Sequence, residues 1–204
     1  MKAVFLLILV CVIFISSASD KKEPIYPSFT ISEKLKKDAN AVCREYTHEF
    51  ELKDYGKATE RVKMVVTVLN EKGEQFGNLL VFYDNQVKVT SISGKSYDAL
   101  GFQDEKLKNS LISDVNITTS GSLYDSYRMK VARFETDTYP YTIEYQYEIE
   151  HNGLLAYPNW KPVSDFRYAV EKSSFVVSWP EGMEIRVKEL NLPYNCLTSK
   201  KENG

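Results

Sequence analysis

Few side chains in this chain have chemical reach. Cys43, His151 and Asp165 follow one another in the order Cys…His…Asp. In that set an imidazole takes the proton of a thiol and a carboxylate orients the imidazole. A nucleophilic thiol needs its pKa lowered by a helix N-terminus or a neighbouring cation. Cys43 falls instead inside an alternating strand pattern, with Glu45 reading onto the same face and opposing a thiolate. No catalytic residue is therefore expected. His48 shares the phase of Tyr46 and Phe50 and reads as a core-edge residue. His48 and His151 are the only histidines, and no HxxxH, CxxC or HxH spacing occurs, so neither a metal nor a cofactor is expected. Gly-rich phosphate loops and G-x-S-x-G elbows are equally missing from the sequence.

A second candidate is the run Tyr157-Pro158-Asn159-Trp160-Lys161-Pro162. Two prolines stiffen it, and the faces of Tyr157 and Trp160 suit stacking on a sugar or a peptide group. The competing reading makes Trp160 a plug at one end of a hydrophobic core, because aromatic rings bury the most apolar area.

The elements that must position these residues follow from composition and periodicity. The chain has 204 residues with 26 Lys+Arg and 28 Asp+Glu, a net charge of −2, and its basic residues are dispersed. A nucleic-acid partner is not expected, since such domains carry a clustered basic excess. Met1-Lys2, then 13 apolar residues from Ala3 to Ile15, then Ser16-Ser17-Ala18-Ser19, follow the grammar of a secretory signal. Such a run spans about 20 Å as a helix, short of the ~30 Å hydrocarbon core. Residues 1–19 are read as a signal peptide, giving an exported chain, periplasmic or extracellular, with no membrane attachment after cleavage. Export permits a disulfide between Cys43 and Cys196, against the alternative of a buried strand thiol and an exposed tail thiol.

Residues 20–29 read as a polar tether. Thr30-Ile31-Ser32-Glu33 fits a capping box that opens a short helix to about Asn40. Downstream, apolar residues recur with period two. Val42, Tyr46, Phe50 and Leu52 share one face, as do Val62, Met64, Val66 and Val68. Further strands read over 79–83 and 87–92, broken at Asp84-Asn85. Residues 141–150 alternate without a fault, placing Tyr141, Ile143, Tyr145, Tyr147 and Ile149 inward and Thr142, Glu144, Gln146, Glu148 and Glu150 toward water. A last pair reads over 166–179 and 183–190. The expected fold is all-β, an antiparallel β-sandwich over residues 30–192 with one short N-terminal helix, followed by a polar tail or linker over 193–204.

Several phrases, in order, carry a resemblance: Ala39-Asn40-Ala41-Val42-Cys43-Arg44, Val68-Leu69-Asn70-Glu71-Lys72-Gly73, Tyr97-Asp98-Ala99-Leu100-Gly101, Leu123-Tyr124-Asp125-Ser126-Tyr127-Arg128, Tyr139-Pro140-Tyr141-Thr142-Ile143-Glu144-Tyr145 and Pro158-Asn159-Trp160. Over residues 26–191 the chain resembles the N-terminal domain of unknown function that precedes a transglutaminase-like core in exported bacterial proteins. The resemblance implies a β-sandwich that is not itself catalytic, with the Cys-His-Asp machinery in an adjacent transglutaminase-like domain. It assigns no active residue to this chain. A scaffold or substrate-binding role beside that domain is expected. The alternatives are a free-standing glycan- or peptide-binding sandwich using Tyr157 and Trp160, and an independent Cys43 enzyme.

Overall fold

The computed structural model describes residues 23–117, 127–154, 157–186 and 188. Among the described residues ten strands build two sheets: β1 (Ala41–Asp54), β2 (Lys57–Val68), β3 (Leu79–Tyr83), β4 (Val87–Tyr97), β5 (Gln103–Lys106), β6 (Ile112–Asn116), β7 (Arg128–Ala132), β8 (Tyr141–Asn152), β9 (Tyr168–Val170) and β10 (Ser173–Ser178). The larger sheet runs β10-β1-β2-β8-β4-β5, with β9 also on the edge of β1, and the smaller runs β3-β7-β6. Their facing sides form an all-β sandwich. Val66, Val68, Ile143 and Tyr145 of the larger sheet pack with Leu79, Val81 and Ala132 of the smaller. Tyr145 crosses the layer, donating its hydroxyl toward the carbonyls of Gly77 and Ala132, both at 3.2 Å. Gly94 leaves room for that ring, since a Cβ there would lie 2.8 Å from Tyr145 Cδ1.

Two features depart from a plain antiparallel sandwich. β9 and β10 pair with β1 in parallel, long after it in sequence. The face assignment of β1 also changes partway. Cys43 pairs with Val66 while Glu45 pairs with Val65, so a bulge at Arg44 reverses the alternation. Val42 therefore does not share the face of Tyr46, Phe50 and Leu52, and Cys43 does not share that of Glu45. Cys43 and Ala41 join the sandwich interior instead. Strands β5, β6 and β7 had no clear period in the sequence, and residues 183–186 form no strand.

The N-terminal expectations are corrected as well. The helix is only α1 (Glu33–Lys36), preceded by a single 3-10 turn at Ser28–Thr30. No capping box forms. The Thr30 hydroxyl donates to the Pro27 carbonyl at 2.7 Å and accepts from Arg44 Nη2 at 2.8 Å. Glu33 pairs with Lys36 at 2.6 Å. The helix ends at the extended Lys37, and Asp38, at φ 61°, then turns the chain toward β1. Within the segment read as a tether, the residues from Ile25 onward dock on the outer face of the larger sheet. Ile25 and Ser28 donate backbone hydrogen bonds to Gly101 and Ala99, both at 2.9 Å, and Tyr26 packs edge-on against Tyr97. Ile31 is buried. This strap covers Thr142 and Glu144, so the face of β8 expected to be wet is dry at that end. Thr142 bonds Thr67 at 2.8 Å, and Glu144 accepts the Tyr97 hydroxyl at 2.9 Å.

Candidate functional site

Strand register brings both histidines of the chain to one carboxylate. On the inner face of the larger sheet, Phe50, Glu60 and Ile149 lie in one cross-strand row. His48 pairs with Val62 on one side of that row, and His151 with Ala58 on the other. Both imidazoles are thus diagonal neighbours of Glu60, approaching it from opposite sides. His48 Nε2 lies 2.8 Å from Glu60 Oε1, out of line for a hydrogen bond. His151 Nε2 lies within hydrogen-bonding distance of Oε2, at 2.9 Å. His48 is 2% exposed and Glu60 7%. Burial works against ionising Glu60, but the two imidazoles outweigh it and hold the carboxyl down at about 2. Ligands on opposite flanks of a carboxylate do not converge on one ion. Among the described residues, no group of three or more His, Cys, Asp or Glu is arranged to hold a metal.

The aromatic run lies over this clamp. Phe175 meets the His48 ring edge-on at 4.9 Å, and Trp160 stacks on Phe175 at 6.1 Å and 17°. Phe50 meets His151 at 5.5 Å, and Tyr157 meets Phe50 at 5.9 Å. Trp160 is still 38% exposed and Tyr157 67%. Trp160 therefore covers the core and also shows an open ring to solvent. Glu60 was the residue missed from the sequence. Its signal is its phase, a carboxylate between Ala58 and Val62 on the apolar side of β2.

The ordered Cys…His…Asp set is not brought together. Cys43 pairs through Val66 to Ile143, and His151 lies eight residues further along β8, about 26 Å at ~3.3 Å per residue. Asp165 is exposed and accepts the amide of Phe166 at 2.6 Å. Burial pushes the Cys43 thiol up to about 11, despite a hydrogen bond with Tyr168. Cys196, its expected disulfide partner, lies outside the described residues, as do residues 1–19 and the tail over 193–204. No helix among the described residues is long and apolar enough to cross a membrane.

Comparison with known proteins gives the chain a family. The profile described as "Domain of Unknown Function with solved-structure structure (DUF3857)" matches residues 54–204, about three quarters of the sequence, and the chain belongs to that family. No curated protein matches it. Among solved structures, the chain is similar to a protein named as a putative protease from Parabacteroides distasonis. The two are 17% identical with a TM-score of 0.56, over 70% of this chain and 29% of that one. This chain therefore spans under a third of that protein's length. An M1 zinc metallopeptidase from Deinococcus radiodurans is 8% identical with a TM-score of 0.28, over 58% of this chain and 22% of its own. Yeast LTA4 hydrolase is 12% identical with a TM-score of 0.29, over 63% and 17%.

Proposed function

We propose that this DUF3857 chain is a non-catalytic accessory module, a scaffold or substrate-binding sandwich, working beside the transglutaminase-like domain of an exported bacterial protein. The observation that carries the reading is the likeness to the Parabacteroides distasonis protein, in which a sandwich of this kind makes up 29% of a longer chain named for protease activity. The site chemistry supports it. The thiol is buried and pushed up, one imidazole is committed to Glu60, and Asp165 caps its own loop. The test is an assay of peptidase and acyl-transfer activity, with the purified chain alone and mixed with the product of any downstream reading frame. The chain and its Cys43→Ala variant should both stay at background, with activity arriving only with the second polypeptide. Turnover by the chain alone that disappears in Cys43→Ala would overturn the reading. Export is part of the proposal, and the intact mass of protein from the cell envelope should match a chain starting near Asp20.

One observation favours a second role, free-standing binding of a glycan or peptide. Tyr157 and Trp160 keep open faces while braced from behind by Phe50 and Phe175. Loss of glycan or peptide binding in Trp160→Ala, with the fold intact, would support it.

A further inference from the structure

We propose that a cleft between the two sheets binds a small carboxylate with an apolar body, with Lys161 as its anion contact. The cleft has a volume of about 290 Å3, at the small end of ligand sites, which run from ~300 to ~1,000 Å3. Tyr46, Val62, Met64 and Tyr147, from three adjacent strands of the larger sheet, form its floor, and Leu79 of β3 stands opposite. The segment from Lys161 to Ser164 closes its mouth, on the same loop as Trp160.

The lining is apolar and aromatic, with the amides of Gln75 and Asn78 and a single charged residue, Lys161. Among the described residues no carboxylate pairs with that ammonium, which reaches only the Ser164 carbonyl, at 3.4 Å. The phenols of Tyr46 and Tyr147, half-buried in the floor, are neutral O–H groups near pH 7, and burial pushes both further from ionisation. The Lys161 ammonium, the amides of Gln75 and Asn78 and the two phenols together favour an oxygen-bearing occupant. A cation would be repelled by Lys161, and a hydrocarbon would leave every polar group unmet. An apolar acid meets both demands: carboxylate at the mouth, hydrocarbon against Val62, Met64 and Leu79. The inference does not depend on a neighbouring catalytic domain, so either proposal can fail while the other stands.

Nuclear magnetic resonance titration of the purified chain tests it. With 3-phenylpropionate, resonances of Tyr46, Met64 and Tyr147 should shift and saturate, and 3-phenylpropanamide should bind at least about tenfold more weakly, since a charge-assisted contact is lost. Lys161→Met should bring the acid down to the amide's level, while Lys34→Met, a change at a distant exposed lysine, should not. Tyr147→Phe provides a second variant inside the cleft and should weaken the acid without changing resonances elsewhere. N-acetyl-alanyl-phenylalanine separates the sources. Tighter binding than phenylpropionate identifies a peptide C-terminus, and weaker binding a free small acid. Equal affinity for acid and amide, saturation untouched by Lys161→Met, or no saturable shift at millimolar ligand would each overturn the proposal.

Discussion

Glu60 is a buried carboxylate whose environment works in two directions, and its effect on stability has a definite sign. Its folded pKa, about 2, lies below the ordinary value of 4.5. The stabilisation is therefore complete above about 4.5. It is lost as pH falls through 4.5 toward 2, where the unfolded chain takes up a proton that the folded chain still refuses. Glu60→Gln keeps the shape but removes the anion between His48 and His151, and should cost about 3 kcal/mol at neutral pH. Denaturant titrations of both forms at pH 7 and pH 3 check this, because the difference between them should shrink at the lower pH. Cys43 gives a second expectation at this scale. A buried thiol raised to about 11 should react with iodoacetamide near neutral pH far more slowly than a free thiol, speeding up only as denaturant opens the fold. Labelling at a free-thiol rate in native buffer would contradict the buried placement.

Among the elements, β8 shows how far periodicity reaches. Its inner row was legible because Tyr141, Ile143, Tyr145 and Ile149 alternate cleanly and are buried. Its outer row was misread at one end, because alternation within a strand carries no information about a distant segment lying over it. Ile143→Asp should cost several kcal/mol by placing a charge in the core. Thr142→Asp should also cost more than about 2 kcal/mol, since Thr142 is fully buried and bonded to Thr67. Glu150→Gln, exposed on the same outer row, should stay within about 0.5 kcal/mol. Equal stability of Thr142→Asp and Glu150→Gln in urea would refute the strap's cover. The bulge at Arg44 was illegible for another reason. Arg44 bonds Glu171 at 2.6 Å and Thr30 at 2.8 Å, and both partners lie outside any window that a strand pattern samples. Likewise Glu60 looked like one more solvated acid until two histidines, 12 and 91 positions away in sequence, were folded onto it.

For the molecule as a whole, the sandwich class was readable from the number of short alternating runs and the lack of a βαβ rhythm. The joining of its parts was not. The strap from Ile25 to Ile31 is where a long-range prediction belongs. Ile31→Ser should destabilise the whole domain by about 2 kcal/mol, because the side chain is 2% exposed. Hydrogen exchange should speed up at Thr67 and Thr142 together rather than at Ile31 alone, and exchange unchanged at those two positions would show that the strap is dispensable.

The parallel edge of β1 sets a schedule on synthesis. Tyr46 takes its edge partner, Ser173, 127 residues later. At ~5–20 residues per second, the ribosome needs roughly 6 to 25 s between the two. For that interval β1 can pair with β2 on one side only, while its other rim of amides and carbonyls stands open beside Phe50 and Leu52. Open rims of this kind recruit strands from other chains. A nascent chain stalled before residue 173 should therefore be the form that aggregates or engages a holding chaperone, and release past residue 178 should end that exposure. The strand over 173–178 acts as a clasp in time as well as in space.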